Sequence, residues 1–215
     1  MSLELDHVFI CVEEATGAER ALADFGLQFS LRAVHGGQGT ANACAFFDNA
    51  YLELLSRHDD QELQSPAVRP LALWERVRWR QTGASPFGIA FRTRNIELSI
   101  NTWPYAAAFL PPGKNIPIVT APNAAHEPLI FLIPATLPIR LQPPQAHRGK
   151  HRSLTRVTVS GPRVSALSAD VRVVCDPEVL AITQAPEHHL ELDWDCATAG
   201  ESHDFRPTLP LVLRW

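Results

Sequence analysis

The 215-residue sequence predicts an α+β fold: a mixed β-sheet carrying a few short helices. Three observations support this. Residues 3–56 read as strand, helix and three further strands in succession. A second strand-led run begins at Phe87, and a third begins at Leu154. That order is compatible with several α+β architectures.

The elements follow in chain order. Leu3–Val12 is a strand with a β-branched and aromatic interior. Glu13–Phe25 is a helix, because Ala18, Ala21, Leu22 and Phe25 recur at helical spacing and Gly26 stops it. Leu27–His35 is a strand, broken by Gly36, Gly37 and Gly39. Thr40–Phe47 and Ala50–Ser56 are strands joined by the turn Asp48-Asn49. The connector Asp59–Gln81 is acidic and then basic, with Arg69–Trp79 as its helix. Phe87–Thr93 is a strand, Asn95–Trp103 a short helix, and Trp103–Gly113 a proline-bounded apolar loop. Ile116–Thr120 and Leu129–Ile133 are strands around a turn at Asn123–Glu127. The polar, basic run Pro143–Arg152 marks a boundary. Beyond it come a strand (Leu154–Ser160), a short helix (Arg163–Ala169) and three strands (Val171–Cys175, Leu180–Gln184, His189–Trp194).

Two residues break the apolar logic of their strands. Alternation sends Leu52 and Leu54 to one face and Tyr51, Glu53 and Leu55 to the other, so Glu53 sits in the middle of an apolar strand. His7 does the same in LDHVFICV. A carboxylate persists in such a place only when paired. The economical explanation is that both face one concave surface and serve a cation or a polar ligand.

These residues carry a family resemblance. LDHVFICV, a helix, then GQGTAN and YLELL resemble the opening module of glyoxalase-like proteins of the vicinal-oxygen-chelate superfamily, and the terminal HDFRPTLPLVLRW strengthens the resemblance. It implies βαβββ modules that curl into a half-open, cup-shaped mixed sheet. It also implies paired modules over residues 1–142 (1–58 and 86–142, with 59–85 as connector) and an abbreviated module-like unit over 153–215, where LELDW echoes LELL. In the superfamily a divalent metal is usually held by a first-strand residue and a fourth-strand Glu of each module. His7 and Glu53 fall on those positions, with Glu53 as ligand or catalytic base. The matching positions of the second module are Gly88 and Ile130 or Phe131, which cannot coordinate.

Two readings therefore stand side by side. In one, His7 and Glu53 hold Zn, Mn, Fe or Ni for a metal-assisted lyase, isomerase or dioxygenase, with His189 and Glu191 (and neighbouring His188) as further ligands. In the other, they hydrogen-bond each other in a metal-free cup that binds or sequesters a small organic molecule. Gln38, Thr40 and Asn42 in the glycine-rich loop offer hydrogen bonds to such a ligand, and Trp103, Tyr105 and Phe109 an apolar lid. Asp204 and Arg206 are expected to form a structural ion pair.

Composition narrows the partners. A net charge of -4 and a pI near 6.1 give no basic face for nucleic acid. No apolar run is long enough to span a bilayer, and no leader is evident at the N-terminus. Cys11, Cys44, Cys175 and Cys196 form no CxxC pair, so they read as reduced thiols of a cytoplasmic protein. The expected partner is a small molecule, and the reading allows a homodimer.

Overall fold

The computed structural model describes residues 3–93, 100–121, 124–134, 137, 145–148, 152–163, 167–174 and 178–215. The first half opens with β1 (Glu4–Val12), α1 (Ala15–Phe25), β2 (Leu31–His35), β3 (Thr40–Phe46) and β4 (Tyr51–Arg57). A connector follows, holding α2 (Asp60–Leu63), a 3-10 turn at Arg69–Leu71, α3 (Leu73–Val77) and α4 (Trp79–Thr82). The second half supplies β5 (Phe87–Thr93), β6 (Thr102–Tyr105), β7 (Ile116–Val119) and β8 (Leu129–Pro134). These eight strands form one mixed sheet in the order β2-β3-β4-β1-β5-β8-β7-β6. Its symmetry is plain: β1 runs parallel to β4, β5 runs parallel to β8, and β1 and β5 join antiparallel at the centre.

Each central strand is apolar on both faces, and the two faces serve different cores. Val8, Ile10 and Val12 point with Leu52 and Leu54 toward α1, whose Ala18 and Leu22 complete that layer. Phe9 and Cys11 point the other way, with Leu55, Ala90 and Phe131, toward the connector residues Leu63, Leu71, Leu73 and Val77. The cup lies on this second face.

The chain then forms a separate five-stranded sheet from β9 (Leu154–Gly161), β10 (Leu180–Gln184), β11 (His189–Trp194), β12 (Ser202–Asp204) and β13 (Leu211–Arg214), ordered β10-β9-β11-β13-β12. It packs on the α1 side. Phe25 of α1 meets Phe205 and Trp215, with ring centroids 5.4 Å apart in both cases, and Phe47 meets Trp194 at 5.0 Å. Its wiring differs from that of the first two halves. The strand after the helix, β10, lies parallel beside β9, whereas β2 stands three places from β1.

Several sequence expectations are corrected. Val171–Cys175 is not a strand: α5 spans Ala169–Val174, with the Val171 N–H on Ser168 Oγ and Val171 and Val174 buried, so packing overrides β-branched propensity. Helix Arg69–Trp79 is broken, because Ala72 adopts a left-handed conformation (φ 54°) and turns Leu71 and Leu73 into the core. Thr102–Tyr105 is an edge strand that tolerates Pro104, not the end of a helix. Residues 95–99 of that expected helix, half of Pro143–Arg152, and Cys175 lie outside the described residues. The second strand begins at Leu31, later than Leu27.

Candidate functional site

The parallel register sets the site. His7 lies opposite Tyr51 and Phe9 opposite Glu53, so period-two alternation sends all four side chains to the connector side of the sheet. There they line a cavity of about 240 Å³, to which the second half adds Tyr105, Ile118 and Phe131.

A polar band crosses this otherwise apolar space. The β1 ladder slips between Leu5 and His7, a bulge that re-aims the adjacent side chains. Asp6 thereby reaches His7: Oδ1 lies 2.7 Å from Nδ1. Arg92 of β5 backs Asp6, with Nε 2.8 Å from Oδ2. On the other side of the imidazole, Nε2 stands 3.6 Å from Glu53 Oε2. Asp6, His7 and Glu53 are 1%, 5% and 5% exposed, so these polar groups are settled by one another rather than by water. Burial pushes the Asp6 carboxyl up, but the hydrogen bond and charge of His7 and then of Arg92 outweigh it and hold the group below its ordinary range.

The band continues through the glycine-rich loop. Asn42 Nδ2 donates to Glu53 Oε1 at 2.9 Å, and its Oδ1 accepts the Ala33 N–H at 2.9 Å. The same Nδ2 lies 3.4 Å from His35 Nε2, whose Nδ1 faces Thr40 Oγ1 at 3.0 Å. Gln38 Nε2 donates to Thr40 Oγ1 (2.7 Å), and the Tyr105 hydroxyl donates to Gln38 Oε1 (3.1 Å). Gly39 makes this turn possible: its φ is 80°, and a Cβ there would lie 2.4 Å from the Asp59 carbonyl oxygen. Burial lowers the His35 pKa, the Glu53 charge opposes the shift, and His7 adds to it. Burial, with Glu53 next, raises Tyr51 well above the ordinary phenol value.

The second half answers this band with rings. Gly88 occupies the position of His7, and a Cβ there would meet the Phe9 ring at 2.1 Å. Two residues along, Ala90 faces Phe131, so Phe131 stands where Glu53 stands in the first half. Its ring packs edge-on to His7, with centroids 5.3 Å apart.

The sequence-predicted residues divide accordingly. His7, Glu53, Gln38, Asn42, Tyr105 and Phe109 line the cavity. Thr40 lies beneath them, fully buried, as an acceptor for Gln38. Trp103 packs against Tyr105 but does not line the cavity. His189 and Glu191 lie apart on β11 of the second sheet. They stand 3.5 Å from each other, and Glu191 Oε2 lies 2.7 Å from Arg214. His188 faces the Gly83 carbonyl at 3.2 Å. Sequence reasoning missed Asp6, Arg92, His35 and Tyr51. The one available signal was that Asp6 is a second polar residue beside His7 in an apolar strand.

Elsewhere, Asp204 and Arg206 pair, with Arg206 Nε 2.9 Å from Asp204 Oδ1. The buried thiols Cys11 and Cys44 are shifted up by burial, Cys11 to about 12, and neither lines the cavity. No helix among the described residues is long and apolar enough to cross a membrane.

The family model described as "Glyoxalase-like domain" matches residues 5–174. Among solved structures, a hypothetical protein from Staphylococcus aureus superposes with a TM-score of 0.59 at 12% identity, covering 100% of this chain and 98% of that one. A mutant of 4-hydroxymandelate synthase from Streptomyces coelicolor gives 0.51 at 13% identity, covering 92% and 74%. A xylose isomerase-like TIM barrel/4-hydroxyphenylpyruvate dioxygenase fusion protein gives 0.50 at 15%, covering 89% and 37%. At these identities the likeness is one of fold. No curated protein matches the chain.

Proposed function

This chain belongs to the glyoxalase-like domain family, and on that premise we propose that it binds a small organic molecule in the cup between its two halves. The observation that carries this reading is the cavity itself. It is an apolar chamber of about 240 Å³ with one polar wall, made of His7, Glu53, Asn42, Gln38 and His35. Small-molecule sites have this character: apolar lining for affinity and a few fixed polar groups for orientation.

Ala33 lines the same chamber from β2, so a larger side chain there fills it. Ala33→Phe is expected to weaken binding of single-ring aromatic compounds, followed by ligand-observed NMR, by at least about tenfold through lost volume. The melting temperature should change little. Undiminished binding in this variant would place the ligand elsewhere.

A metal-assisted reaction is the second reading, and the donor set argues against it. A divalent cation would have His7 and Glu53 to hold it, whereas catalytic sites normally use three protein ligands. The corresponding positions of the second half are Gly88 and Phe131, which offer none. Among the described residues, no group of three or more His, Cys, Asp or Glu side chains is placed to hold a metal. Protein dialysed against buffer is therefore expected to retain less than about 0.1 equivalent of Zn, Mn, Fe or Ni by elemental analysis. One full equivalent surviving dialysis would restore the metal reading.

A further inference from the structure

We infer that the cavity selects a ligand with a hydrogen-bond-donating head, above all a protonated amine, on an aromatic or apolar body, and that it disfavours carboxylates and phosphates. This rests on the reading of the cavity as a ligand site and specifies its chemistry.

The polar wall has engaged its amide donors and the Tyr105 hydroxyl. The Asn42 amide N–H groups point at Glu53 and His35, the Gln38 amide donates to Thr40, and the Tyr105 hydroxyl donates to Gln38. Acceptors remain. Glu53 has Asn42 as its one hydrogen-bond donor among the described residues, and its second oxygen stands 3.6 Å from the His7 ring nitrogen. A carboxylate has lone pairs for about four donors, so a buried one with this little company is open to a donor from a ligand.

The charge count points the same way. Among the described residues, no Lys or Arg lines the cavity. Arg92, the nearest guanidinium in the band, is engaged by Asp6. His7 lies between two carboxylates, Asp6 on Nδ1 and Glu53 near Nε2, so even a protonated imidazole has its charge already claimed. An anionic ligand would enter a low-dielectric chamber facing Glu53 with no free cation among the described lining residues to meet it, whereas an ammonium would pair directly with Glu53. The remaining walls suit a ring: Phe9, Phe109 and Phe131 line the cavity, and Tyr51 stacks on His7 at 4.3 Å.

Three probes that share a phenyl ring separate the alternatives: benzylamine, benzyl alcohol and benzoate, titrated into the intact protein by NMR or calorimetry. The expected order is benzylamine, then benzyl alcohol, then benzoate, with at least about a tenfold gap between first and last. Glu53→Gln, which keeps the shape and removes the charge, should shrink that gap to about threefold or less. Because the order is read first on the unmodified protein, the test stands even if that variant folds poorly. Benzoate binding as tightly as benzylamine, with both lost in Ala33→Phe, would overturn the selectivity and leave the ligand site standing. Failure of all three probes to bind at several millimolar, roughly the limit for so few contacts, would overturn the ligand site itself.

Discussion

Replacing Arg76 with methionine will lower the melting temperature by roughly 6–20 °C, from a loss of about 3–5 kcal/mol. Arg76 sits on α3, 1% exposed, and holds the connector to the second half of the sheet. Its Nε donates to the Leu71 carbonyl at 3.0 Å, and one terminal nitrogen donates to Ser85 at 2.7 Å and Glu127 at 2.8 Å. The other donates to Ala124. A guanidinium is the side chain that can satisfy four diverging carbonyls at once. Methionine fills the volume but strands them in the core, where each lost partner carries a desolvation cost. Burial has already pulled the guanidinium pKa down to about 10, the mark of a group held by dipoles rather than water. Thermal unfolding followed by circular dichroism is the check, with Arg76→Lys expected to fall between. A shift below about 2 °C would show that the carbonyls find other partners.

Acid will destabilise the protein starting near pH 6.5, well above the carboxylate range. His35, His147 and His188 all have folded pKa values lowered from 6.5, in each case first by burial. The sign follows from linkage. Below pH 6.5 the unfolded chain takes up these protons before the native state does, so stability is full above 6.5 and is lost as pH falls toward the folded values. Each histidine contributes a slope of up to about 1.4 kcal/mol per pH unit within its own window. Asp6, held below its ordinary value of 3.8, adds a second loss in more acidic solution as it is finally protonated. His147 shows the geometric reason for the first loss. Its Nδ1 accepts the Gln28 N–H at 3.1 Å, and its Nε2 lies 2.9 Å from the Phe46 carbonyl, so a second proton would displace Gln28. Melts between pH 7.5 and 5 should show the decline, and His147→Gln should remove about a third of the slope. A flat profile across that range would mean the imidazoles protonate without cost.

The fold was largely readable from the sequence because strand alternation is a local signal. Glu53 and His7 stood out as polar residues in apolar runs, and register alone then brought their side chains to one face. Asp6 could not be read in this way. Alternation sends neighbours to opposite faces, and only the bulge beside Leu5 brings Asp6 to the His7 ring. His35, at the end of a largely exposed strand, looks like a solvent residue until Phe109 covers it at 4.8 Å. His189 and Glu191 carried the right chemistry on the wrong sheet, because two-residue spacing says which side chains share a face and nothing about what that face meets. Residues 171–174 looked like a strand because valines favour one, and only tertiary packing made them a helix.

The position of β1 at the centre of the sheet also has a consequence in time. It is synthesised well before one of its two neighbours, β5, which begins at Phe87, 75 residues after Val12. At typical rates of about 5–20 residues per second, β1 waits roughly 4–15 s on the nascent chain for that partner. During that interval an apolar strand, later covered on both faces and both edges, has an edge open to any other chain. Asp6 and His7 interrupt it with polarity near its start. His7, later part of the polar wall of the cavity, and Asp6 behind it are thus placed as gatekeepers against aggregation before the cavity exists.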